Sequence, residues 1–114
     1  MQVYRVGPLP PAALAAAATF HAADLVAAGD LLSRFADALV LVFPPADHAH
    51  KAWRLAAVQS LAREHAPVRV NAIESADEAA ISAALDYLAA APGVTGQLLT
   101  LDGHGAGDML SMSG

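Results

Sequence analysis

The segment Asp47-His48-Ala49-His50-Lys51 holds the densest group of side chains capable of chemistry in the 114-residue chain. Imidazoles and carboxylates bind zinc, and a histidine or a lysine can transfer a proton. Useful ligand pairs on a helix are three or four residues apart, whereas His48 and His50 diverge by about 200°. Asp47 suits a helix N-cap. We therefore expect capping and solvation here, with a metal site or an acid–base role as the alternatives.

Three closely spaced glycines, Gly103, Gly105 and Gly107, form the second candidate for a functional loop. A phosphate-binding glycine loop needs a strand before it and, after it, a helix whose N-terminus faces the phosphate. Only seven residues follow Gly107, too few for a convincing helix. We therefore predict a single domain over residues 1–103 and a flexible tail over residues 104–114.

Composition excludes several classes of function. The chain has no cysteine, which excludes disulfides, thiolate metal ligands and cysteine nucleophiles. A formal charge of −5 with only six basic residues argues against nucleic-acid binding. No apolar run reaches the roughly 18–20 residues of a membrane span, and no secretion signal is visible. We expect a cytoplasmic protein with neither nucleic-acid nor membrane partners.

Hydrophobic periodicity predicts strands that alternate with helices. The predicted elements, in chain order, are a strand at Val3–Val6, a helix from Pro11 through Ala36, a strand at Ala38–Phe43, a helix at Asp47–His65, a strand at Val68–Ile73, a helix at Ala79–Ala91 and a strand at Gln97–Leu101. The run Ala38–Phe43 is continuously apolar, which is typical of a strand buried on both faces. Such an order implies parallel β-α-β crossovers, and so an α/β domain with four mostly parallel strands and three helices.

Side-chain spacing adds detail to the three helices. One face of the first helix is predicted to carry Leu14, Ala18, His21, Leu25, Leu32 and Phe35, and Gly29 could divide this helix in two. In the second helix, Arg54 is expected to be solvated with Arg63 and Glu64. Ser75 with Glu78 predicts a capping box at the start of the third helix.

Two blocks of the second half have a spacing that is specific to one family. The first is Lys51 with the helix after it and the strand Arg69-Val70-Asn71-Ala72-Ile73; the second is the run Thr95-Gly-Gln-Leu-Leu-Thr-Leu-Asp-Gly103. Together they resemble the lysine-bearing helix and the closing strands of the short-chain dehydrogenase/reductase family. The resemblance covers about residues 51–103 and implies a half-Rossmann-like fold, whose four strands correspond to the last four of the family's seven.

The resemblance also implies which functional residues are kept. Lys51 stands at the position of the family's catalytic lysine, but Asp47 holds the position of the catalytic tyrosine. Pro44-Pro45 follows the strand where the serine loop belongs, and Glu74-Ser75 replaces a Pro-Gly turn beside the nicotinamide. The cofactor-binding front half has no counterpart. We expect the chain alone to bind no cofactor, and NAD(P) only where a partner chain completes the site.

In this family, the long helix and the lysine-bearing helix pack against their copies in a four-helix bundle. The resemblance therefore implies an interface at Leu25, Leu32, Trp53 and Val58, although Trp53 could equally belong to the core. Val3–Val6 would form an exposed sheet edge. We expect a non-catalytic pseudoenzyme, an assembly subunit of a homo-oligomer or of a hetero-oligomer with a full-length dehydrogenase-like chain. The alternatives are an NAD(P)-dependent oxidoreductase subunit completed by a partner, and a small-molecule binding module.

Overall fold

The computed structural model describes residues 1–35 and 37–101, so the predicted tail at 104–114 lies outside the described residues. Its strands are β1 (Gln2–Arg5), β2 (Ala38–Phe43), β3 (Arg69–Glu74) and β4 (Leu98–Thr100). Its helices are α1 (Ala13–Thr19), α2 (Leu25–Phe35), α3 (Lys51–Glu64) and α4 (Glu78–Ala89). A π turn (Phe20–Asp24) joins α1 to α2 into one continuous helix, and a 3₁₀ turn (His48–His50) precedes α3. None of these helices is long and apolar enough to cross a membrane.

The four strands form one parallel sheet in the order β1-β2-β3-β4. Val3 pairs with Val40, and Glu74 pairs with Thr100. β1 and β4 are the two edges of this sheet as far as the described residues go. The predicted fold class, an α/β Rossmann-like arrangement, is confirmed, and so is the prediction that the first strand lies at an edge.

Apolar side chains bury the centre of the sheet. All six residues of β2 are buried, which confirms the prediction from its continuous apolar run. β3 is buried from Val70 to Glu74, and the two polar residues of this buried span, Asn71 and Glu74, find partners inside the protein. The central strands therefore fix the positions of the loops that follow them.

The helices cover the two faces of the sheet unequally. Leu39, Leu41 and Phe43 of β2 pack in one cluster with the first helix and α3, whereas Val40 and Val42 pack in another with α4. The strands advance in a single direction across the sheet, but α4 lies on the opposite face from the first helix and α3. The crossover from β3 to β4 therefore has the opposite hand to the two before it, although nearly all such crossovers share one hand.

The first helix buries a different face from the predicted one. Its buried residues are spaced by four and are Ala16, Phe20, Asp24, Ala28 and Leu32. Ala18 and His21 are exposed, and Leu14 is 89% exposed, so the prediction was wrong for these three. A step of four residues rotates about 40° past one full α-helical turn, so a stripe with this spacing drifts around the helix. The wider π turn offsets this drift. Gly29 lies within α2 and does not interrupt it.

Helix starts were predicted with mixed success. The Asp47 side chain accepts a hydrogen bond from the Ala49 N–H at 3.1 Å, which confirms it as a cap. The predicted capping box is wrong, because Asp77 caps α4 through the N–H groups of Ala79 and Ala80. The Ser75 hydroxyl instead accepts from the Asp77 N–H at 3.0 Å.

Candidate functional site

The loops that follow β1 and β2 enclose a crevice of about 250 Å³ at the carboxyl edge of the sheet. This carboxyl-edge crevice is lined by Leu9, Pro10, Pro11, Pro44, Pro45, Ala46, Asp47, His50 and Arg54. Open α/β sheets bind their ligands outside the carboxyl ends of the strands. The crevice is therefore the first place to test for chemistry.

A buried ion pair lies beside this crevice. Arg54 Nη1 donates to Glu74 Oε2 at 2.7 Å and to the Pro44 carbonyl oxygen at 2.7 Å. The two side chains are only 2% and 9% exposed. The guanidinium carbon lies 4.6 Å from the centre of the Phe43 ring and 5.5 Å from that of Trp53. Arg54 thus ties α3 to the ends of β2 and β3.

His50 forms a second buried connection in the crevice, and it is 5% exposed. The indole N–H of Trp53 donates to His50 Nδ1 at 3.2 Å, and His50 Nε2 lies 2.9 Å from the Pro11 carbonyl oxygen. An indole N–H can only donate and a carbonyl can only accept. Both contacts therefore assign the same neutral tautomer, with the ring hydrogen on Nε2 donated to Pro11.

Within the segment Asp47–Lys51 the structure buries only His50. Lys51 is exposed on the first residue of α3, and Asp47 and His48 are exposed on the turn before it. Within residues 1–35 and 37–101, no three His, Cys, Asp or Glu side chains are grouped as metal ligands. The zinc alternative therefore has no ligand set in this part of the chain.

The four residues of the predicted interface also separate. Leu32 is 3% exposed and Val58 is 0% exposed, so both belong to the core of this chain and offer no free side-chain surface. Leu25 and Trp53 are half-buried and line a groove of about 300 Å³ between the first helix and α3. This helix groove also includes Ala56, Ser60 and Glu64. Of the four predicted residues, only Leu25 and Trp53 keep side-chain surface that another subunit could contact. An interface at these two residues stays a prediction.

Sequence reasoning missed the Arg54–Glu74 pair, because it treated Arg54 as a solvated residue. The available signal was helical spacing: Arg54 precedes the buried Val58 by four residues and the buried Leu61 by seven. No sequence rule would have found Glu74 as its partner. The two are 20 residues apart and meet only because α3 crosses over β3.

A second polar pair, which the sequence analysis did not predict, joins the edge strand to the π turn. The Tyr4 hydroxyl donates to Asp24 Oδ1 at 2.7 Å, and Asp24 is 8% exposed. Burial raises the pKa of Tyr4 to about 12, and the hydrogen bond and the charge of Asp24 act in the same direction. The pair does not line the crevice, and it holds β1 to the first helix.

This pair predicts a specific alkaline transition. The folded state keeps the Tyr4 proton up to about pH 12, whereas an unfolded tyrosine loses it near 10. The stabilisation by Tyr4 is therefore complete below about pH 10 and is lost as the pH rises towards 12. In the Tyr87→Phe variant, Tyr4 is the one remaining tyrosine, so phenolate absorbance reads its titration directly. Titration of Tyr4 near its usual value would contradict the prediction, and Asp24→Asn should lower its pKa.

A family comparison covers nearly the whole chain. The model of the SDR-like family, described as short chain dehydrogenase-like protein, matches residues 4–101. The chain belongs to this SDR-like family. The match confirms the resemblance seen from Lys51 onward and extends it to the first helix and to β1 and β2. Neither the curated proteins nor the solved structures contain a significant match to the chain.

An SDR-like fold implies NAD(P), so the fit of the crevice to a dinucleotide can be tested. Phosphates are held by backbone N–H groups in the turn between a strand and a helix. The turn after β1 contains Pro8, Pro10 and Pro11, and the loop after β2 begins with Pro44 and Pro45. Proline has no N–H to donate. Four of the nine residues that line the crevice therefore offer no backbone donor to a pyrophosphate, which makes the crevice a poor fit for one.

Proposed function

We propose that this SDR-like chain is a non-catalytic assembly subunit, which associates with itself or with a full-length dehydrogenase-like chain. The observation that carries the proposal is the carboxyl-edge crevice itself. Four of its nine lining residues are prolines, which have no N–H to offer a phosphate, and the Arg54 charge beside it is already paired with Glu74 inside the protein.

The polar groups of the crevice support a structural role. Asp47 caps the 3₁₀ turn, and His50 is held at both ring nitrogens. General acid–base catalysis needs a group within hydrogen-bond reach of a substrate proton and free to exchange it. Lys51 is exposed at the position of the family's lysine, but Asp47, not tyrosine, precedes it by four residues. These residues support scaffolding over proton transfer.

The outer surface of the first helix supports association. Leu14 is 89% exposed and Val26 is 65% exposed, and from Ala12 to Gly29 the only charged residue is Asp24, which is buried. Contiguous exposed apolar surface on a small protein favours contact with another protein. The helix groove, with Leu25 and Trp53 in its walls, borders this surface. Packing of these helices against a second subunit is the arrangement that the family resemblance implies.

Association is expected to depend on the helix groove. Ala56→Glu places a charge in the groove on an exposed α3 residue, where the helix tolerates it. We expect sedimentation velocity to show oligomers of the unmodified chain at micromolar concentration, and Ala56→Glu to weaken association by about tenfold or more. Ser82→Glu, at an exposed residue of α4, is the matched control, and this variant should associate like the unmodified chain. A monodisperse monomer, or equal effects of both substitutions, would exclude this mode of assembly.

Calorimetric titration with NADH and NADPH tests the other half of the proposal. We expect no saturable binding to the isolated chain at micromolar concentration. Saturable binding would overturn the non-catalytic role and favour the oxidoreductase alternative. This result is independent of the oligomeric state, so the two parts of the proposal can fail separately.

A further inference from the structure

His50 connects two elements through bonds that only a neutral ring can make. Its Nδ1 accepts from the Trp53 indole at 3.2 Å, and its Nε2 donates to the Pro11 carbonyl at 2.9 Å. The ring is 5% exposed, so water does not readily replace either partner. Nδ1 carries no hydrogen in this tautomer, so it is the ring atom that a proton would occupy.

We propose that His50 is a pH-sensitive latch that holds Trp53 when neutral and releases it when protonated. Protonation places a hydrogen on Nδ1, so that two N–H donors face each other across the present hydrogen bond. Nε2 keeps its hydrogen, so the bond to Pro11 survives. Acidification therefore breaks the Trp53 end of the connection and leaves the other end in place.

The groups around His50 and Trp53 determine which contacts the indole keeps after its hydrogen bond to His50 breaks. Arg54 shares the crevice and is paired with Glu74, and Asp47 stands at the rim. His21 also neighbours Trp53, with ring centres 6.4 Å apart. The Trp53 ring also packs against Phe20 at 5.5 Å and Phe43 at 5.8 Å. Because these apolar contacts remain, we expect a local rearrangement of the indole rather than unfolding.

The consequence reaches the helix groove, which lies next to the carboxyl-edge crevice along α3. Trp53 lines the helix groove, whereas His50 lines the carboxyl-edge crevice. The latch therefore couples the protonation state in the crevice to the shape of the groove. It needs no partner chain, so it goes beyond the assembly role and holds whether or not the chain associates.

The single tryptophan makes the test direct, because the indole N–H gives one signal in a nitrogen-15 correlation spectrum. We expect this signal to shift on acidification, when Nδ1 of His50 takes up a proton and the indole loses its acceptor. His50→Gln should abolish the shift, because a glutamine amide accepts and donates like the neutral ring but does not titrate. His48→Gln and His21→Gln are the matched controls and should keep it.

Two results would overturn the latch. The first is an indole signal that does not move with pH, or that moves equally in His50→Gln. The second is a His50 ring protonated on Nδ1 at the alkaline end, read from the imidazole nitrogen shifts of the unmodified chain. This tautomer measurement decides the question even if circular dichroism shows unfolding at acidic pH.

Discussion

Glu74→Leu is expected to lower the free energy of unfolding by about 3–5 kcal/mol, because it leaves a buried arginine without its counter-ion. Arg54 is 1% exposed, and Glu74 is its only carboxylate partner among the described residues. Leucine has nearly the volume of glutamate, so the loss reports the charge and not a cavity. Urea unfolding followed by circular dichroism measures it.

Two variants separate this effect from a general cost of losing a glutamate. Glu78 forms an ion pair with Arg5, but the two side chains are 72% and 54% exposed. Glu78→Leu should therefore cost no more than about 1 kcal/mol. The double variant Arg54→Met with Glu74→Leu removes both charges and should recover most of the stability. Equal losses for Glu74→Leu and Glu78→Leu would show that the buried pair is not a distinct source of stability.

Local sequence rules predicted the features that depend on near neighbours. The continuous apolar run of β2 predicted a strand buried on both faces, and Asp47 was recognised as a cap from its position before a helical pattern. The alternation of elements predicted the parallel sheet. The first two properties are decided within about ten residues of chain, which is the range that a periodicity or a capping rule covers, and the third follows from the order of the elements alone.

Properties that depend on contacts between elements were not predictable in the same way. Helical spacing marked Val58 as apolar but could not distinguish the core of this chain from an interface, because both bury apolar side chains. Arg54 was taken as solvated because an isolated arginine is rarely buried, and its partner Glu74 lies on another element. The crevice lies where an α/β fold places its ligand sites, at the carboxyl ends of the strands. The hydrogen bonds of His50 within it depend on Pro11, which precedes His50 by 39 residues, and on Trp53, which follows it by three.

The largest error concerned which face of the first helix is buried. It has a single physical cause, a π turn that holds one residue more than an α-helical turn. Deleting Ala22, an exposed residue of the π turn, should therefore be tolerated. The spacing from Phe20 would then be four residues to Leu25, seven residues to Ala28 and eleven residues to Leu32. That is the stripe of an unbroken α-helix. Since no buried apolar side chain leaves the core, we expect a loss of about 1 kcal/mol or less.

Deleting Ala56 from α3 is the matched control, because it also removes an exposed alanine from the middle of a helix. α3 has no wide turn to absorb the change, so the residues after the deletion rotate by about 100°. Leu61, which is 3% exposed, would leave the core, at a cost of about 2–5 kcal/mol. Chemical denaturation should show a cooperative transition near that of the full chain for the Ala22 deletion and a strongly weakened one for Ala56. Equal damage from both would mean that the π turn is required for the fold, and that Asp24 needs its width to reach Tyr4.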